Sequence, residues 1–196
     1  NTFFTEYHAI IGHCKMVLDN QIYNDEYSEN SIWSLLLPME YIFEDFVAGF
    51  LEKHFSDKWI VKYQISNLNL SDNPEAFNMQ HDILLTSKFE PERILIIDTK
   101  YKLRGNFKND KKKGIAQSDM YQMASYALRR GCSEVLLLYP NQSDDLLLPD
   151  CFTITSGFES QHKINVTAAE IPFWASAGYN EVTSRLKEIL QKLLEI

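Results

Sequence analysis

Cysteine is scarce in this chain, and positive charge is in deficit. The three cysteines, Cys14, Cys132 and Cys151, lie far apart and are odd in number. No CxxC or Cys/His spacing points to zinc or an iron–sulfur cluster; buried free thiols in a reducing cytoplasm are expected. The five histidines are equally scattered, and none is assigned a catalytic role. Lys and Arg number 19 against 27 Asp and Glu, a formal net charge of −8. That argues against a generic nucleic-acid binder, which is usually basic. It does not exclude an enzyme acting on nucleic acid, because a metal site needs carboxylates and a local basic patch can meet phosphate. No apolar run is long enough to span a membrane, and no signal-peptide pattern opens the chain. A cytoplasmic location without a membrane partner is the expectation. With only seven glycines and six prolines there is no low-complexity linker, and no internal repeat is visible.

What is present is a core. Apolar residues make up 45% of the 196 positions and charged residues 23%, the balance of a globular domain. The length suits a single domain, residues 1–196. The chain begins at Asn1 without an initiator Met, so a C-terminal fragment of a longer protein is expected.

The most informative stretch runs from Gln80 to Lys102. Two apolar runs, Ile83-Leu84-Leu85 and Ile94-Leu95-Ile96-Ile97, flank a polar segment with Pro91 and read as a β-hairpin. Asp82 opens the first strand; Asp98 and Lys100 close the second. Antiparallel pairing brings the start of one strand beside the end of the next, so the three side chains can meet. Asp98 and Lys100, two apart, share a face. Charges at the end of a buried strand need pairing or a metal. One reading is a structural Asp–Lys ion pair. The other is two carboxylates holding Mg2+, with a lysine beside the attacked phosphate.

Around the hairpin, Phe3–Leu18 has helical spacing, and 19–31 is a polar loop. Pro38 suits the first turn of a helix whose apolar face runs through Phe43, Phe46, Val47 and Phe50, with Glu44 at its border. Trp59–Ile65 alternates as a strand, and Asn67–Glu75 reads as a loop. The stretch Arg104–Gly114, with Lys108, Lys111, Lys112 and Lys113, is the one strongly basic segment, either solvated or in contact with phosphate. Ser118 is the expected cap of a helix ending at Gly131, with Gln122 and Tyr126 one turn apart. Strands are expected at Glu134–Tyr139, Phe152–Ser156 and Lys163–Ala168, the last near an edge, and a helix over Glu181–Ile196.

From Pro38 to Tyr139 the order helix, strand, strand, strand, helix, strand resembles the restriction-endonuclease-like, or PD-(D/E)xK, nuclease core. Asp82 matches its first acidic position, Asp98-Thr99-Lys100 its D-x-K, and Glu44 the glutamate often found on its first helix. Gln122-Met123-Ala124-Ser125-Tyr126 looks like the QxxxY signature of the RecB-like branch. His81 stands where the name-giving proline would be. Phe43-Glu44-Asp45-Phe46-Val47, Asp98-Thr99-Lys100-Tyr101-Lys102 and the segment Asp119–Ala127 resemble McrC, the nuclease-subunit family of McrBC-type restriction systems for modified DNA.

The resemblance implies an α/β fold. A mixed central sheet is flanked by helices, with an extra N-terminal helix and loop (1–37), a nuclease core (38–140) and C-terminal strands and helix (141–196). It implies Mg2+ or Mn2+ held by Asp82, Asp98, the Thr99 carbonyl and Glu44. Lys100, Gln122 and Tyr126 would complete the catalytic set, and Lys102, Arg104, Lys108, Lys111, Lys112 and Lys113 would contact DNA. The implied partners are DNA and an McrB-like AAA+ GTPase. Two rivals stand beside the endonuclease. One is an exonuclease of the same fold, RecB-like or CRISPR-associated with an iron–sulfur cluster; the cysteine spacing opposes the cluster. The other is a non-catalytic adaptor that binds the GTPase ring.

Overall fold

The computed structural model describes residues 37–105, 109–141, 143–145, 147–155, 157, 163–173, 176 and 178–195. The helix expected over Phe3–Leu18, the loop after it, Cys14 and Lys108 lie outside the described residues. The elements, in order, are α1 (Met39–Phe55), β1 (Trp59–Asp72), β2 (Glu75–Ser87), β3 (Ile94–Thr99), α2 (Gln117–Arg130), β4 (Glu134–Pro140), β5 (Asp150–Thr155), β6 (Lys163–Ile171) and α3 (Tyr179–Glu195). The strands form one sheet in the order β1-β2-β3-β4-β6-β5. β1, β2 and β3 pair antiparallel, β3, β4 and β6 pair parallel, and β5 closes the far edge antiparallel to β6. The mixed sheet and its helices agree with the expected architecture.

The strand alternation explains the layers. Ile83, Leu85, Leu95 and Ile97 point to one face, where they pack with Phe43, Val47 and Leu51 of α1 and Leu186, Leu190 and Leu193 of α3. Leu84, Ile96, Val135 and Leu137 point to the other, against Met123, Tyr126 and Ala127 of α2. β3 and β4 are buried on both faces and therefore carry unbroken apolar runs. Parallel strands need a crossover, and α2 supplies it between β3 and β4. The β2–β3 turn is held by Ser87, whose hydroxyl accepts from the amides of Phe89 and Glu90 at 3.2 and 3.0 Å.

Several expectations need correction. Asn67–Glu75 is not a loop: β1 runs on to Asp72 and β2 starts at Glu75, so a two-stranded arm extends past the rest of the sheet. Its residues are largely exposed on both faces, which leaves no apolar alternation to read. Asp82 accordingly lies inside β2 rather than at its start. Ser118 lies inside α2; the N-cap is Ala116, without a side-chain cap bond. β6 is interior, between β4 and β5. Cys151 is exposed on the edge strand, whereas Cys132 is buried.

The basic segment is folded tightly against the chain that precedes it. Asp110 accepts from the amides of Lys112 at 2.9 Å and Gly114 at 2.8 Å. Gly114 has φ +74°, and a Cβ there would lie 2.2 Å from the Gly105 carbonyl oxygen. Both the left-handed backbone and the close approach demand glycine. Gly114→Ala is therefore expected to destabilise by more than the ~1 kcal/mol of an ordinary unfavourable φ, because backbone atoms must move. Thermal denaturation measures this; an unchanged melting temperature would show that the loop adapts freely.

Candidate functional site

The site grows from the pairing of β2 with β3. Ile83 is opposite Ile97, so the next step of the antiparallel register sets Asp82 against Asp98. Asp98 carries the parity of Ile96 and of Lys100, which Gln122 of α2 reaches. Asp82 is held from β3 itself: Thr99 donates its amide at 2.8 Å and its hydroxyl at 3.0 Å to Asp82 Oδ2. Asp98 is 1% exposed. Its Oδ2 lies 2.6 Å from Lys100 Nζ. The contact is charge-assisted, and the ammonium is what meets this otherwise unpartnered buried oxygen. Lys100 is itself placed by its amide, which donates to Leu138 O at 2.8 Å and extends the β3–β4 ladder.

From α2, Gln122 Oε1 accepts from Lys100 Nζ at 3.2 Å, and Gln122 Nε2 donates to the Tyr126 hydroxyl at 2.8 Å. Glu44 comes from α1, on the opposite side of the sheet. The residue before it, Phe43, is fully buried and packs on Tyr101 and Phe173, with ring centroids 6.0 and 5.2 Å away. That aromatic cluster ties the helix turn bearing Glu44 to the chain just after Lys100.

The electrostatics are those of too many acids for one base. Burial, then the charge of Asp82, pushes the Asp98 carboxyl up to about 7, against the pull of Lys100. Burial, then Asp82 and Asp45, raises Glu44 to about 7 as well. Burial would lower the Lys100 ammonium, but Asp98, Asp119 and Asp82 together raise it. Among the described residues no group of three or more His, Cys, Asp or Glu stands close enough to hold a metal unaided. Asp82 and Asp98 feel one another, and Glu44 is near enough to feel Asp82.

The structure thus brings together Asp82, Asp98, Thr99, Lys100, Glu44, Gln122 and Tyr126. It does not bring every expected cation to a phosphate-accessible surface. Arg104 is 2% exposed. Its Nε donates to Lys113 O at 2.9 Å, its Nη1 to Ala168 O at 3.3 Å, and its guanidinium pairs with Asp150. It pins the lysine loop to the sheet and is not placed to meet DNA. Lys102 pairs with the buried Asp119 at 2.5 Å and is 44% exposed, so it is only partly open. Lys111, Lys112 and Lys113 are exposed.

Two further residues join the site without a signal in the sequence. His81 is fully buried and stacks on Tyr126 with ring centroids 4.4 Å apart. Its Nδ1 lies 3.4 Å from Ile65 O, and burial holds the imidazole below its ordinary pKa. Gln64 on β1 reaches the Glu44 carboxylate and lowers its pKa against the effect of burial. Gln64 has φ 49°, just before the irregularity between Ile65 and Leu68. Simple alternation does not register such a bulge.

The raised carboxyls set a pH dependence. The folded-state value of about 7 for Asp98 exceeds its ordinary value of 3.8. Such a group stabilises the fold while protonated, fully below the unfolded value, and this contribution is lost as pH rises through the folded value. Glu44 acts in the same direction, from 4.5 to about 7. In chelator the melting temperature should therefore fall between roughly pH 4 and 7, and Asp98→Asn should flatten the fall. An equally steep fall in that variant would remove Asp98 from the account.

A family model for the McrBC 5-methylcytosine restriction system component matches residues 1–140. No characterised protein matched the chain in sequence. Among solved structures, a chain from the tetradecameric assembly of Thermococcus gammatolerans McrB AAA+ hexamers with bound McrC is similar in fold. Identity is 12% and the TM-score 0.56, over 82% of this chain but 34% of that one, so this chain spans about a third of its length. No helix among the described residues is long and apolar enough to cross a membrane. With most of its length matched by the family model, the chain belongs to the McrBC 5-methylcytosine restriction system component family.

Proposed function

We propose that this chain is the cleaving subunit of a modified-cytosine-dependent restriction system: a divalent-metal-dependent DNA endonuclease with a restriction-endonuclease-like, PD-(D/E)xK core. An McrB-like AAA+ GTPase would be its partner, in line with the assembly to which the similar chain belongs. The observation that carries the reading is the meeting of Asp82 and Asp98 beside Lys100, with Glu44 near enough to feel Asp82 and both Asp98 and Glu44 raised to about 7. The order of α1, β1 to β3, α2 and β4 supports the core assignment.

The residues fit a hard divalent cation. Asp98 Oδ2 is buried with the Lys100 ammonium against it and no other polar partner, and the neighbouring carboxylates hold excess negative charge. Mg2+ is content with one or two carboxylates and keeps waters or phosphate oxygens in its remaining positions. Asp82 and Asp98 would hold it, with the Thr99 carbonyl and Glu44 as further ligands. When bound, Mg2+ or Mn2+ supplies polarisation of the phosphate and a lowered pKa for water. The clamp of Thr99 on Asp82 Oδ2 fixes that carboxylate's rotation. Lys100 orients the attacking water or meets charge building on the phosphoryl oxygens. Gln122 holds the Lys100 ammonium, and Tyr126 holds Gln122; the two are positioning residues.

One observation favours a second reading, a non-catalytic adaptor: Asp98 and Lys100 already form a close, buried ion pair. The two readings differ in the sign of a stability effect. In the nuclease, Asp82→Ala and Asp98→Ala abolish Mg2+-dependent nicking of plasmid DNA in the presence of the GTPase partner. Removing one of two repelling carboxylates leaves the metal-free protein as stable or slightly more so. Mg2+ raises the melting temperature of the parent chain. In the adaptor, Asp98→Ala costs up to about 3–5 kcal/mol by stranding a partly buried lysine, and melting is indifferent to Mg2+. That combination sinks the nuclease.

The lysine loop gives an independent check. Converting Lys111, Lys112 and Lys113 to Gln should weaken DNA binding and reduce the salt slope by about 0.9 for each phosphate no longer neutralised. Folding should persist, since exposed lysines contribute little. An unaltered slope would return the loop to solvent.

A further inference from the structure

A cavity between α2, the lysine loop and β5 takes no part in the chemistry above. It has a volume of about 270 Å³ and is lined by Lys111, Lys112, Ile115, Met120, Tyr121 and Phe152, among others. Its walls are almost wholly apolar. Ile115 is buried at its floor, whereas Tyr121 is 63% exposed. The rim is basic and organised. Lys112 Nζ donates to Gln117 Oε1 at 3.2 Å, and Gln117 Nε2 donates to the Tyr121 hydroxyl at 2.5 Å. One chain of hydrogen bonds therefore orients both the ammonium and the phenol ring. Asp110 fixes the backbone turn that carries the two lysines.

Tyr121 immediately precedes Gln122, which holds Lys100. The cavity and the candidate site thus share a single turn of α2. The size falls just below the ~300 Å³ at which small-molecule sites begin, enough for one planar heterocycle. A slot for an apolar peptide side chain would have no use for two lysines at its mouth. An aromatic wall with cations at its rim is the arrangement by which single strands are held, base on ring and phosphate on ammonium.

From this we infer that the cavity takes an unstacked base of the DNA strand next to the scissile phosphate, with its backbone on Lys111 and Lys112. The inference rests on the proposed action on DNA and adds to it a requirement for local unpairing or a single-stranded end.

Binding of a fluorescein-labelled oligothymidylate, and of a duplex of equal length, to the full chain in chelator tests it without cleavage. Tyr121→Ala should weaken the single strand about tenfold, within the range of losing one stacked base. The duplex should be affected much less. Tyr121→Trp should restore single-strand binding, and Lys111→Gln with Lys112→Gln should flatten its salt dependence. Unchanged single-strand affinity in Tyr121→Ala, or an equal loss for duplex, would overturn the inference. So would a loss of binding to an McrB ring with oligonucleotide affinity intact, which would mark a protein-binding surface. Nicking assays on the same proteins keep the two readings apart. Tyr121-dependent binding without Mg2+-dependent nicking leaves the slot and removes the nuclease; nicking with Tyr121 indifferent removes the slot alone.

Discussion

Everything at the centre of this molecule follows from two aspartates being made to face one another. β2 and β3 pair in a register that puts Asp82 opposite Asp98, and the register is set by apolar residues that have no other place to go. Slipping it by one residue would turn Ile83 and Ile97 out of the α1–α3 core and Leu84 and Ile96 out of the α2 core. The repulsion between the carboxylates is thus held in place by packing on both sides of the sheet. One lysine two residues along softens it, while burial first and the charge of Asp82 second push the Asp98 carboxyl up. Thr99, between Asp98 and Lys100, has the opposite parity along the strand yet donates twice to Asp82. The D-x-K spacing therefore places two charges on one face and uses the intervening residue to lock the opposing strand.

The parts legible in the sequence are those where local pattern and tertiary role agree. The two apolar runs of the hairpin, the apolar face around Phe43 and Val47, and the Gly131 stop of α2 all carry short-range signals that burial repeats. So does the Gln122–Tyr126 spacing, which becomes a hydrogen bond of 2.8 Å. The β1–β2 arm escapes such a reading because an element exposed on both faces has no period to detect. Arg104 misleads because its cationic side chain is identical in sequence whether it meets a phosphate or Asp150; only the return of β5 to the sheet decides. His81 and Gln64 are invisible for the same reason. Their partners, Tyr126 and Glu44, are far away along the chain.

A division of labour follows for the basic residues. Arg104, the most buried of those described, keeps its charge inside the protein and directs its hydrogen bonds to Lys113 O and Ala168 O. By doing so it brings Lys111, Lys112 and Lys113 to the surface on a turn that Gly114 allows to close against Gly105. A chain with a net charge of −8 can present cations this way. They are concentrated at one place and backed by a fold that stops the turn from wandering.

The borders of the sheet carry a consequence of their own. Among the described residues β1 lies at one edge and β5 at the other, and an edge strand invites addition of a strand from another copy. β1 resists this by its break in register between Ile65 and Leu68, by Lys62 on its rim and by the turn at Pro74. β5 has only six residues, Asp150 to Thr155, with its alternate side chains exposed. The same irregularity that carries Gln64 toward Glu44 thus also blunts an edge. Straightening β1 to regularise the sheet would exchange a well-placed glutamine for a sticky border, and the damage would show as aggregation rather than as lost folding.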